Sequence, residues 1–178
     1  MITITRMASM LAALGLLAAA PAQAKDLAFA AMLGGDKLPT ETGSKATGQA
    51  RITVHTDTQT VDLTLDVAGL NIDGLWTRLV KAPVGPIHLH VYGSHDHSNP
   101  DSSALLLPLP FGPTYAPTPD GFKVVVKGYP YAQGAVTVNS SVSFDDFVAA
   151  LEMGHVVANI HTNAFNDGEI SGDVVPVA

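Results

Sequence analysis

Six of the chain's seven histidines fall in two places, His88, His90, His95 and His97 in one and His155 and His161 in the other. The run Ile87-His88-Leu89-His90-Val91 alternates with a period of two. As a strand it turns Ile87, Leu89 and Val91 toward a core and both imidazoles outward. Side chains two positions apart on a strand stand about 7 Å from one another, a gap that two imidazoles close around one ion with bonds of about 2 Å. The run from His155 to His161 has the same logic, with Val156, Ala158 and Ile160 on one face and His155, Asn159 and His161 on the other. Six residues of extended chain span about 20 Å, so His155 and His161 cannot both hold the same ion.

Cysteine is absent. That excludes thiolate ligands, a thiol nucleophile and disulfides, and leaves imidazole, carboxylate, amide and main-chain groups as donors. An all-nitrogen set of three or four imidazoles suits copper(II) or zinc. On this basis affinity is expected to fall as the pH drops through about 6.5, because a ligating imidazole must be neutral. The competing reading is that these are solvated strand histidines, with Asn159 and Thr162 making ordinary loop hydrogen bonds. The sequence carries no G-x-S-x-G elbow, no phosphate-cradling glycine loop and no H-E-x-x-H.

The elements that must position the histidines read as short antiparallel strands. Leu27, Phe29 and Ala31 alternate ahead of Gly34-Gly35, residues 50–56 alternate, and Val61, Leu63, Leu65 and Val67 give the clearest half-buried strand. Further strands are expected at Trp76–Lys81, Ile87–Tyr92, Ala104–Pro108, Phe122–Lys127, Ala135–Asn139, His155–Thr162 and Glu169–Val177, with Trp76 packing in the core or at its rim. The proline-rich stretch from Pro108 to Pro119 is expected to be irregular. One helix stands out, capped by Ser143, with Asp145 and Asp146 in its first turn, an apolar stripe of Phe147, Val148 and Leu151, and Gly154 at its end. The fold class is therefore mainly β, an antiparallel β-sandwich with one short helix.

Residues 1–24 have the three parts of a secretory signal: a positive start at Arg6, an apolar run from Met10 to Ala20, and Ala22-Gln23-Ala24 as a cleavage pattern. The run falls short of the roughly 20 apolar residues that span a bilayer. Cleavage before Lys25 leaves residues 25–178 as one domain and removes one positive charge, taking the net charge from −7 to −8. The expected protein is exported, periplasmic or secreted, with no stable membrane insertion after cleavage. Its acidity gives no electrostatic basis for binding nucleic acid.

Four places in order resemble the CHRD (chordin) domain family. Phe29-Ala30-Ala31-Met32-Leu33-Gly34-Gly35, with Leu38-Pro39 and Thr47-Gly48-Gln49-Ala50, is similar to the family's opening strand, proline turn and next strand. Ile87-His88-Leu89-His90-Val91-Tyr92-Gly93 resembles its His-Ile-His-x-Gly segment, and the helix from Phe144 to Gly154 matches the element before its last strands. Asn159-Ile160-His161-Thr162, continuing through Asn166-Asp167-Gly168-Glu169-Ile170-Ser171-Gly172, is similar to its Asn-Val-His-Thr followed by Gly-Glu-Ile-Arg-Gly, with Ser171 in place of the arginine. The resemblance implies an Ig-like sandwich with a likeness to copper–zinc superoxide dismutase, and it favours His161 over His155 as a ligand. The expected site is then His88, His90 and His161 on adjacent strands, with His95 or His97 approaching from the loop. The expected function is a non-enzymatic exported module that binds copper or zinc. A metal-independent protein-binding or structural module, its partner unspecified, is the alternative. A dismutase-like redox enzyme ranks behind both, since the net charge of −8 does not help to steer a small anion.

Overall fold

A computed structural model describes residues 25–99 and 102–177; the signal segment lies outside the described residues. Among the described residues nine strands form one continuous antiparallel sheet: β1 Asp26–Gly34, β2 Thr47–His55, β3 Thr60–Ala68, β4 Ile87–Val91, β5 Ala104–Leu109, β6 Tyr115–Thr118, β7 Gly121–Pro130, β8 Val156–Ile160 and β9 Ile170–Pro176. Their order across the sheet is β5-β4-β8-β9-β1-β2-β3-β7-β6. The sheet curls, so that one face encloses the core in a sandwich-like arrangement. Alternation decides which side chains enter. Phe29, Ala31 and Leu33 of β1, Ile52 and Val54 of β2, Leu63 and Leu65 of β3, and Ile87 and Leu89 of β4 are all buried in a single cluster with Phe122, Ala158, Ile160 and Ile170.

Helix α3 (Phe144–Glu152) closes part of this core in the way its sequence dictates. The Ser143 hydroxyl accepts from the Asp146 amide, Asp145 and Asp146 occupy the positive first turn, and Phe147, Ala150 and Leu151 turn inward. Phe147 stacks on Tyr131 with ring centroids 4.7 Å apart.

Three local expectations are corrected. Trp76–Lys81 is not a strand: the amides of Leu79 and Val80 both return to the Trp76 carbonyl, giving the one-turn helix α1 (Thr77–Val80). Ala135–Asn139 lies in helix α2 (Tyr131–Val138) and its cap, so the domain has more than one short helix. The β-branched run Val136-Thr137-Val138 reads as a strand, but tertiary packing overrides it. Gly134 presses so closely on β5 that an added Cβ would lie 2.6 Å from Leu107 Cδ1, and Asn139, with φ +54°, ends the helix in the left-handed conformation. The Pro108–Pro119 stretch is not wholly irregular either, since it contains β6. That strand lies at the sheet edge, where Pro117 removes no ladder bond that a neighbour needs.

Truncating Phe147, which is fully buried, to alanine should cost about 3–5 kcal/mol through lost burial and a residual cavity. Ser143→Ala should cost about 1 kcal/mol for the lost cap. Urea unfolding checks both, and equal costs for the two variants would contradict the placement of α3.

Candidate metal centre

Antiparallel pairing places His88 of β4 directly opposite Asn159 of β8, and Asn159 opposite Ser171 of β9. All three side chains project from the face of the sheet away from the main core, together with His90 and with His161 just past the end of β8. The outward parity expected of His88 and His90 is correct. Solvation is not: His88 is 3% exposed and His161 8%. Loops distant in sequence roof this face. Trp76 donates its amide to the His161 carbonyl at 3.1 Å, which lays the segment leading into α1 along the end of β8. On the other side, buried Ser171 donates to the Leu38 carbonyl at 2.7 Å, with Thr40 Oγ1 3.0 Å away. The position where the resemblance has arginine thus carries a small hydroxyl that holds the 37–40 loop down.

Main-chain carbonyls set the tautomers. His88 donates from Nε2 to the Gly85 carbonyl at 2.7 Å, so its Nδ1 carries a lone pair. His161 donates from Nδ1 to the Asn166 carbonyl at 2.8 Å, so its Nε2 carries a lone pair. Those two nitrogens face each other at 3.2 Å. With both rings neutral and both protons committed elsewhere, that contact holds no hydrogen bond; it is two lone pairs pointed at one space. Nitrogens bonded to one tetrahedral ion at about 2.0 Å stand about 3.3 Å apart, so the spacing suits a shared ion. His90 completes the group. One ligand atom from each of His88, His90 and His161 lies within 4.8 Å of the others. His90 Nε2 is buried without a partner, and its Nδ1 makes only a long 3.4 Å contact with Ser103 Oγ. A register shift between Leu89 and His90, where β5 carries an extra residue, falls beside this ring.

The carbonyl on His161 is itself fixed. Asn159 Nδ2 donates to the Asp167 carbonyl at 3.2 Å, holding the 166–168 turn. Gly168 (φ +122°) leaves room for that amide, since a Cβ there would lie 2.2 Å from Asn159 Oδ1. Below the turn, the Glu169 carboxylate accepts from Thr162 Oγ1 at 2.6 Å and from Ser44 Oγ at 2.7 Å. The sequence places Glu169 at the start of a strand and Asn166 in the same motif run, but it assigns neither of them, nor Gly85, these hydrogen-bonding roles.

The remaining histidines lie elsewhere. His97 is buried, but its Nδ1 bonds Asp173 at 2.8 Å and its ring packs on Tyr92. His95 is exposed, edge-on to His155 with centroids 4.8 Å apart. Neither His95 nor His97 brings a nitrogen into the group of three, and neither closes over it.

Burial, together with the neighbouring rings, pushes His88 down to about 3 and His90 down to about 4. Burial also lowers His161, against the raising effects of the Asn166 carbonyl and Asp167. His88 and His90 of the folded protein therefore stay neutral well below pH 6.5. Between about pH 6.5 and 4 the unfolded chain takes up protons that the folded site refuses, so the metal-free protein loses stability as the pH falls through this window. Urea midpoints from pH 7.5 to 4.5 should decline, with a shallower slope for His88→Leu. Midpoints that stay level over this range, or fall equally in His88→Leu, would contradict this account.

With the geometry in place, comparison with known proteins adds one finding. The family model of the CHRD domain matches residues 29–174, a span that begins within β1, ends within β9 and takes in all three histidines and the Glu169 tie. Neither the curated proteins nor the solved structures give a match.

Proposed function

The chain belongs to the CHRD-domain family, and from that premise we propose that it is an exported, non-enzymatic module that binds one copper or zinc ion through His88, His90 and His161. The observation that carries this reading is the facing pair, His88 Nδ1 and His161 Nε2 at 3.2 Å, each with its proton already given to a carbonyl. Two lone pairs at that distance repel, and the buried Nε2 of His90 has no partner. One cation relieves both costs. Carbonyl partners on the far nitrogens also orient the rings and raise their basicity, as outer partners do at imidazole metal sites. Nitrogen donors in this number favour copper(II) or zinc over magnesium or calcium, which take oxygen.

Export rests on the signal pattern in residues 1–24. Cleavage before Lys25 would leave β1 intact, because that strand begins at Asp26. Among the described residues no helix is long and apolar enough to cross a membrane. In such a protein the bound ion would act as a Lewis acid. The chain's own residues hold the three imidazoles neutral, fix their tautomers and keep bulk water from most of the site.

The test is metal content and titration of the mature protein, residues 25–178, beside a His88→Ala/His161→Ala variant. One ion per chain is expected, lost in the variant. At a hundredfold excess over the Kd, metal should stabilise the wild type by about 2.7 kcal/mol in thermal or urea unfolding. Equal, weak binding by both proteins with no change in stability would overturn the reading and leave the histidines as structural groups.

A further inference from the structure

At the other end of β8, pairings between distant segments bring together two histidines that the group of three does not use. Tyr92 donates its amide to the His155 carbonyl at 2.9 Å, and His97 is fixed to Asp173 of β9 through its Nδ1 at 2.8 Å. The loop between these two anchors lays the exposed His95 ring beside the half-buried His155 ring, with centroids 4.8 Å apart and planes at 83°. Gly154 leaves space for it. That residue follows α3 with φ +68°, and a Cβ there would crowd His95 Cε1 at 3.3 Å.

Two imidazoles that share an ion through bonds of about 2.0 Å, at angles of about 90–110°, have ring centres about 4.5–5.2 Å apart. The His95–His155 spacing falls in that range, as does the 4.9 Å spacing of His88 and His161. A turn of the exposed His95 ring about its Cβ–Cγ bond redirects its nitrogens and leaves its centre nearly in place. Among the described residues neither ring has a hydrogen-bond partner, so no protein group there competes for the nitrogens.

The end of α3 supplies an independent observation. The nine-residue helix finishes at Glu152, and the His155 amide donates back to its Ala150 carbonyl at 2.9 Å, so both rings lie at the C-terminus. Aligned peptide dipoles leave partial negative charge there, which favours a cation. The last turn has no basic residue to supply one and ends instead in an exposed acid.

We infer that His95 and His155 form a second transition-metal site, which takes copper(II) or zinc through two imidazoles and leaves the remaining positions to water. It does not depend on the three-histidine site, since six residues of extended chain, about 20 Å, separate His155 from His161. With fewer donors and open access, its ion binds more weakly and exchanges more readily. The module then carries one enclosed ion and one accessible ion.

The test is copper(II) titration of the mature protein, residues 25–178, followed by visible and electron paramagnetic resonance spectra. Wild type should bind a second, weaker copper after the first. His88→Ala/His161→Ala should keep only the weaker ion. Replacing His95 or His155 by alanine should keep the tighter ion and weaken the other by about tenfold or more, since the second imidazole acts as a tethered ligand. His95 is exposed, so His95→Ala leaves the core intact should His155→Ala unfold. In doubly loaded wild type, dipolar coupling should place the two coppers about 20 Å apart. A second copper held equally well by folded His95→Ala, or no copper bound by folded His88→Ala/His161→Ala, would overturn this inference while leaving the three-histidine site standing. A single weak copper, kept in His88→Ala/His161→Ala and weakened in His95→Ala, would sustain it and overturn the reading above.

Discussion

Two imidazole nitrogens that cannot hydrogen-bond to one another are held 3.2 Å apart, and much of the outer structure around them serves to keep them so. Each ring would relax if its far nitrogen lost its carbonyl: His88 could then turn its proton toward His161, or the reverse. Gly85 and Asn166 prevent this because both carbonyls are anchored. Gly85 has φ +71° and lies so close to β5 that a Cβ would fall 2.1 Å from the Leu109 carbonyl oxygen. That strand therefore helps to set the position of a group on which the His88 tautomer depends. Asn166 belongs to the turn that Asn159 holds by its side chain. The proton arrangement of the site is thus a consequence of backbone geometry rather than of neighbouring acids.

The two faces of the sheet follow different rules. Inside the curl, burial is apolar and generic, and many hydrophobic residues of similar volume would serve. Outside it, over β4, β8 and β9, burial is polar and specific. Ser171 ties the 37–40 loop, Glu169 joins Thr162 to Ser44, and Trp76 is fastened to the end of β8. A buried carboxylate with two hydroxyl donors is strongly destabilising to break but not in itself evidence of added stability. Its effect here is positional, since it holds the start of β9 against the strand that delivers His161.

How far the sequence discloses this depends on the range of the interaction. Period-two alternation is local, and it placed His88, His90 and Asn159 on one face and assigned the inward residues of β1, β2, β3, β4 and β8. The Ser143 cap and the stripe of α3 are equally local. The roof was not legible, because Trp76, Ser171 and the Leu38 carbonyl meet only through pairings between distant segments. Nor were the partners of His88 and His161, which are main-chain oxygens and carry no side-chain signature. The apolar and β-branched content of Trp76–Lys81 and Ala135–Asn139 favours strands. In the first the chain turns back on the Trp76 carbonyl, and in the second Gly134 lets a helix settle against Leu107. In the second, a contact outside the segment outweighs a weak local preference, and in the first, hydrogen bonds within the segment do. His95 and His97 lie close to His90 in sequence, yet the loop carries one out to solvent beside His155 and the other to Asp173.

A structural explanation for the buried histidines must account for what they leave unsatisfied. Folded interiors pair nearly all their polar atoms, and an unpaired buried one costs roughly 1–3 kcal/mol. His90 Nε2 and Asn159 Oδ1 are both unpaired, and the His88–His161 contact adds a repulsion. No disulfide offsets these costs, because the chain has no cysteine. A cluster serving only to hold strands together would be expected to satisfy its atoms, as Glu169, Thr162 and Ser44 do a short way along the same strands. His97 Nε2 and Tyr129 Oη, outside the group of three, are also buried without a partner, so an unpaired atom by itself does not separate scaffold from site. What sets His88 and His161 apart is the pair of facing lone pairs at 3.2 Å, a repulsion that the proposed cation would relieve and that no hydrogen bond within the pair can.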